Sequence, residues 1–236
     1  MAVAAARPRR LAAWGLGFGA LTVAALAGLW AAGMSAPPPL APLSAERAQL
    51  AAMRAEAAFA DAERFWAARF PVELGRDYPP AQLRHFSRLT ESPCAGAAAA
   101  AGPFYCAATG VVAADLAFLD GLGQRLRADA ERASATFVAR ASAAHAQAVL
   151  GAAAGAEAGD CLAGVWARDA ARRIGEVSPD LYGRMLVSAR EVAAETTAPA
   201  AGWRDAALFA SGARAGRQAA FARGQAAGTL AACLGP

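Results

Sequence analysis

The sequence predicts a mainly helical α+β protein, in which one membrane-spanning helix precedes a helical domain carrying a small antiparallel sheet or hairpin. Three observations carry this. Residues 11–34 contain no charge. Most of 44–233 has apolar side chains at helical spacing. The stretch 102–114, GPFYCAATGVVAA, reads as two short strands around a turn at Thr109-Gly110.

The elements follow in order. Residues 1–10 hold Arg7, Arg9 and Arg10 and no acid, a basic tail expected to stay in the cytoplasm. LAAWGLGFGALTVAALAGLWAAGM (11–34) is long enough, at about 1.5 Å per residue, to cross a hydrocarbon core of roughly 30 Å. Trp14 and Trp30 sit near its ends as interfacial anchors would. The run exceeds a signal-peptide core and Met34-Ser35-Ala36 is a poor cleavage site, so an uncleaved anchor in bacterial inner membrane lipid is expected, with the rest of the chain extracytoplasmic or periplasmic.

Residues 35–43, SAPPPLAPL, form a Pro-rich, semi-extended linker. The domain occupies 44–236. Ser44 opens a long helix that should bury Leu50, Met53, Ala57, Phe59, Phe65 and Trp66, leave Asp61 and Glu63 wet, and stop before Pro71. RDYPP then marks a bend and LRHFSRLT a short strand. Helical spacing returns at Asp115 and continues over 133–150, 161–174 and 179–196; a last helix over about 202–233 contains glycines able to divide it.

Composition excludes some functions. All 23 basic residues are Arg, and Ala is abundant, which indicates a GC-rich bacterial genome rather than a chemistry. Without the three N-terminal arginines, 20 Arg face 19 acids, so the basic footprint of a nucleic-acid binder is absent. Cys94, Cys106, Cys161 and Cys233 all lie beyond the anchor, and an oxidising compartment would pair them. Of three connectivities, Cys94 with Cys106 and Cys161 with Cys233 is the simplest; spacing alone leaves the others open. No CxxC and no GxSxG occurs.

Four stretches in order carry a resemblance: GPFYCAATGVVAADLAFLD (102–120), HAQAVLG (145–151), GDCLAGVWA (159–167) and FASGARAGRQAAFARGQAAG (209–228). In this the chain resembles the neutral zinc metallopeptidase family of bacterial envelope proteins, which have an N-terminal membrane helix and a zincin-like domain. The resemblance implies a zinc held by two His of a helical HExxH motif with a third ligand from a later helix, and a Glu that activates the metal-bound water.

The departures fall on that chemistry. The resemblance places the first zinc His at Arg140, the catalytic Glu at Ala141, the second zinc His at Ala144 and the third ligand at Ala156, and a C-terminal His at Ser211. The chain has only two His, His85 and His145, and His145 is the residue just past the motif. A guanidinium at a ligand position repels a dication and does not lose its proton. Arg140 is therefore expected to pair with Glu157 or Asp160, bracing where a metal would have bound.

A residual site from His145, Glu157 and Asp160 lacks the helix pair, and His145 is expected to be a partly exposed helix residue. Asp160 is expected to cap or brace its helix, and Trp166, Phe221 and Leu162 to be core. Ser142 near His145 has no evident orienting acid. The reading is a membrane-anchored metallopeptidase-family protein without zinc, cofactor or catalytic residues, acting as a binding or scaffold module for a protein or peptide partner. The alternatives are an active hydrolase with a non-standard or interface-supplied metal, and a drifting relative with no role beyond folding.

Overall fold

The computed structural model describes residues 37–87, 94, 101–151, 155–197 and 214–234. The expected membrane segment, 11–34, lies outside the described residues. Among those described, no helix is long and apolar enough to cross a membrane. The domain is described from Leu40 onward.

Helix α1, Ala45–Leu74, begins where Ser44 accepts a hydrogen bond from the Arg47 amide. It does not stop before Pro71. Proline removes one amide from the last turn, but three contacts hold that turn: buried Phe70, the Arg69–Glu73 pair at 2.7 Å, and Glu73 accepting from the Leu230 amide at 2.6 Å. Gly75, at φ 60°, then closes the helix in the left-handed region. The buried face also differs from expectation. Ala51, Ala55, Ala58, Ala62, Phe65, Trp66 and Phe70 face the core, whereas Leu50 and Met53 are 44% and 59% exposed. Small residues every three or four positions let α1 lie close on its neighbours, which turns the larger Leu50 and Met53 outward.

Three short strands follow: β1 (Gln82–Phe86), β2 (Phe104–Cys106) and β3 (Val111–Asp115), in sheet order β1-β3-β2. The β2–β3 hairpin is antiparallel, as its sequence predicts, with Tyr105 opposite Val112. The sheet as a whole is mixed, because β1 runs parallel to β3 with Arg84 opposite Ala113. A parallel pair needs a connection of a dozen residues or more, and 87–110, with β2 inside it, supplies that length.

Helix α2 (Leu116–Leu126) starts directly from β3, with Asp115 accepting from the Phe118 amide. A short 3₁₀ turn, Arg127–Asp129, leads into α3 (Ala130–Leu150); then come α4 (Ala156–Ile174), α5 (Pro179–Thr197), α6 (Arg214–Ala227) and a 3₁₀ turn at Ala231–Cys233. Of the predicted last helix, α6 is the described part, and it ends at Gly228. Helix α3 is buried along most of its length, so it forms the spine of the core.

The most extensive helix pairing is α4 with α6. A Cβ on Gly164 would lie 2.1 Å from the Phe221 carbonyl oxygen, and one on Gly224 would lie 1.9 Å from that of Cys161. The two backbones touch at these glycines. A disulfide from Cys161 to Cys233 ties the end of the chain across the same pair, and a second joins Cys94 to Cys106. Trp166, Phe221 and Leu162 are all core residues. The linker's last residues are also tied down: Leu40 donates to Glu195 at 3.0 Å and Ala41 to Gln124 at 2.8 Å.

Candidate functional site

Helical geometry puts Arg140 and Ala144 one turn apart on one face of α3, with Ala141 beside them. The first turn of α4 faces this stretch. The Arg140 guanidinium lies 3.5 Å from the Ala156 carbonyl oxygen, and Gly159 sits against the Gln147 and Arg140 side chains. The structure thus brings Arg140 and Ala156 together, with the partly exposed Ala144 on the Arg140 face.

What fills this junction is a buried ion cluster. Arg140 Nε donates to Asp160 Oδ1 from α3. Arg217, from α6, donates through Nε to Oδ2 at 2.5 Å and through Nη2 to Oδ1 at 2.8 Å, and the Tyr182 hydroxyl, from α5, donates to Oδ1 at 2.7 Å. Asp160 is wholly buried. Burial alone would raise its pKa; the guanidinium of Arg140, then the bonds and charge of Arg217 and the Tyr182 hydroxyl, outweigh it and hold the carboxyl below its usual range. Burial, and then the Asp160 charge, push the Tyr182 phenol upward. The carboxylate stays ionised with both oxygens engaged, so it acts as a clamp rather than a base. Of the two expected partners for Arg140, the structure selects Asp160 over the exposed Glu157, and Asp160 braces four helices instead of capping one.

Zinc can be tested against this donor set. Ala141, Ala144 and Ala156 offer no side-chain lone pair, Arg140 offers only donors and a positive charge, and Asp160 is already saturated by cations. Among the described residues, no group of three or more His, Cys, Asp or Glu could hold a metal ion. The residues at this junction do not fit a zinc ion.

His145 is buried rather than partly exposed. Its Nε2 lies 2.9 Å from the Pro79 carbonyl, which can only accept, so Nε2 carries the proton. Its ring packs against Tyr78 and Tyr105. The residue is thus engaged with the loop before β1 and with β2.

Ser142 does have an acid, Glu63, which sequence reading places in solvent. Ser142 Oγ donates to Glu63 Oε1 at 2.6 Å and accepts from Trp66 Nε1 at 2.9 Å. The same carboxylate accepts from the Tyr78 hydroxyl at 2.7 Å and the Ala81 amide at 2.8 Å. Burial, followed by the Glu63 charge, raises the Tyr78 phenol. With its hydroxyl held between Glu63 and Trp66, and that carboxylate also engaged by Tyr78 and Ala81, Ser142 is a strut between α3 and α1. All four cysteines are paired, which removes a thiol nucleophile. Ser211 lies outside the described residues.

Sequence reading missed Arg217, Tyr182 and Glu63 as partners. Arg217 carried a signal: it shares a helical stripe with Phe221 and Gly224, and an Arg on a buried stripe requires an anion. Tyr182 and Glu63 carried none.

Comparison with known proteins bears on this geometry. The family model described as "Putative neutral zinc metallopeptidase" matches residues 37–159, about half of the chain. The match includes Arg140, Ala141, Ala144 and Ala156 and ends one residue before Asp160. The chain is 33% identical over 92 residues to "Uncharacterized protein YpfJ" of Escherichia coli strain K12, and equally to its counterpart in Escherichia coli O6:H1 strain CFT073. Each alignment covers 39% of this chain and 32% of the relative, so the chain spans about a third of the curated relatives it matches. No solved structure matches the chain.

Proposed function

Since this chain belongs to the neutral zinc metallopeptidase family, we propose that it is a zinc-free, catalytically silent member of it, a binding module anchored in the bacterial inner membrane with its domain outside the cytoplasm. The single observation that carries the reading is the Arg140–Asp160 pair. A cation fixed on the protein stands where the family resemblance places the first zinc ligand, and its counter-charge comes from the helix expected to supply the third. A junction braced in this way supports the surrounding helices without a metal.

Support for the location comes from two features. Both disulfides belong to an oxidising compartment, and 11–34 has the length and lack of charge of a single-pass anchor in membrane lipid. The near-neutral domain favours a protein or peptide partner over nucleic acid.

The test is metal analysis of the full chain purified from membranes in detergent, paired with a peptidase assay on unfolded casein. The expected result is no stoichiometric zinc and no cleavage. Stoichiometric zinc that His145→Ala abolishes, or casein cleavage blocked by a chelator, would show an active enzyme with a non-standard metal site.

A further inference from the structure

Leu50 and Met53, exposed on α1, border a hollow of about 340 Å³ that also reaches Ala57, Trp166 and Ile174. A second hollow of about 270 Å³ adjoins it and shares Leu50 and Arg54. Three arginines, Arg47, Arg54 and Arg127, line the second hollow against one carboxylate, Asp120. Asp120 is already held by Arg47 at 3.3 Å and by Gln124 at 2.9 Å. Arg54 and Arg127 are exposed, and neither side chain has an ion-pair or hydrogen-bond partner among the described residues. Arg127 also holds a φ of 46°, and among the described residues it is the one non-glycine with a positive φ. Strain of this kind, kept at an unpaired cation, points toward a ligand.

On the opposite side of the apolar hollow, a third one lined by Asp61, Arg64 and Arg173 is electrically closed. Arg64 pairs with Asp61 at 3.2 Å, and Arg173 reaches both Asp61 and Asp169 at 2.9 Å. Glu131, exposed, also borders the central hollow and offsets part of this charge; the groove therefore has a largely apolar centre, one end with two unpaired arginines against that single carboxylate, and one neutral end.

We propose that this groove along α1 binds an extended peptide segment in which an apolar side chain fills the hollow beside Trp166 and an Asp or Glu two residues away meets Arg54 and Arg127. Leu50 and Arg54 are four residues apart on α1, about 6 Å along the axis. Same-side residues of an extended peptide repeat at about 6.6 Å, which matches that step. The inference rests on the domain being a binding module and supplies the chemistry of its partner.

The test uses the full chain in detergent and fluorescein-labelled octapeptides carrying Glu two residues before Leu, Phe or Met, read by fluorescence anisotropy. Controls replace Glu by Lys, or the apolar residue by Ser. The expected result is saturable binding of at least one Glu peptide, weakened about tenfold or more by Met53→Asp and by the Arg54→Glu, Arg127→Glu pair, with circular dichroism unchanged. These side chains are exposed, so the changes do not threaten the fold. Absence of binding by every Glu peptide at millimolar concentration, or equal binding of the Lys control, overturns the proposal. So does binding of phosphatidylglycerol vesicles, sensitive to the same changes, without peptide binding. A peptide that binds and is cut would sink the silent reading and leave the groove standing; a zinc-free chain that binds no peptide would do the reverse.

Discussion

Arg140 on α3 and Arg217 on α6 hold one buried carboxylate, that of Asp160, from two sides. The relationship is asymmetric in its consequences. Removing Asp160 leaves two guanidinium groups without their shared anion, while removing Arg140 leaves Asp160 with Arg217 and Tyr182. Asp160→Ala should therefore lower stability by about 3 to 5 kcal/mol, or roughly 10 °C in Tm for a domain of this size. Arg140→Met, which keeps most of the volume, should cost clearly less. Thermal melts of the two variants check the order, and equal losses would refute the clamp.

The helix contact at Gly164 and Gly224 gives a sharper contrast. Alanine at either position would place a methyl about 2 Å from a carbonyl oxygen of the facing helix. The helices would have to part against the Cys161–Cys233 bridge, at a cost of about 3 kcal/mol. Gly123 in α2 is the control, since a Cβ there meets only the Ala130 methyl at an ordinary 3.7 Å. Gly123→Ala should stabilise by about 0.5 to 1 kcal/mol through helix propensity. Urea unfolding of the three variants should show opposite signs.

The two disulfides should also differ. Cys161–Cys233 closes a loop of 72 residues and Cys94–Cys106 one of 12. Chain entropy then assigns the longer bridge about 1.5 kcal/mol more stabilisation. Replacing each pair by serine or alanine and comparing unfolding midpoints tests this. A greater loss from the 94–106 pair would place the effect in local packing instead.

Much of this was legible beforehand, and the failures share a cause. Ser44 was readable as a cap because its side chain meets an amide three residues away. The absence of a paired-His helix motif was readable from His85 and His145 alone, whereas the positions Arg140, Ala141, Ala144 and Ala156 rest on the family resemblance. Pro71, Leu50 and Met53 were misread because local rules have no view of Glu73 bonding to Leu230, or of an alanine face that lets helices close in. Glu63 was assigned to solvent for the same reason. Its partners Tyr78 and Ala81 come from the loop after α1, and Ser142 comes from α3. Parallel pairing of β1 was likewise hidden, since it depends on which edge of the hairpin is open.

Asp115 caps α2 from a buried position, and burial raises its pKa to about 6 against bonds from the Phe118, Gly102 and Ala117 amides that act to lower it. The folded state thus binds a proton more tightly than the unfolded chain does. Its contribution to stability is fully present below the ordinary value of 3.8 and is lost as pH rises through about 6. The difference corresponds to about 3 kcal/mol. Asp160 acts in the opposite sense, with stability present above the ordinary carboxylate value and lost as pH falls below it. Asp115→Asn removes the titration, whatever it does to the cap. The change in Tm between pH 4.5 and pH 7 should therefore be more favourable to the neutral end in the variant than in the parent. Parallel pH profiles for the two proteins would mean that Asp115 keeps its charge in the core throughout this range.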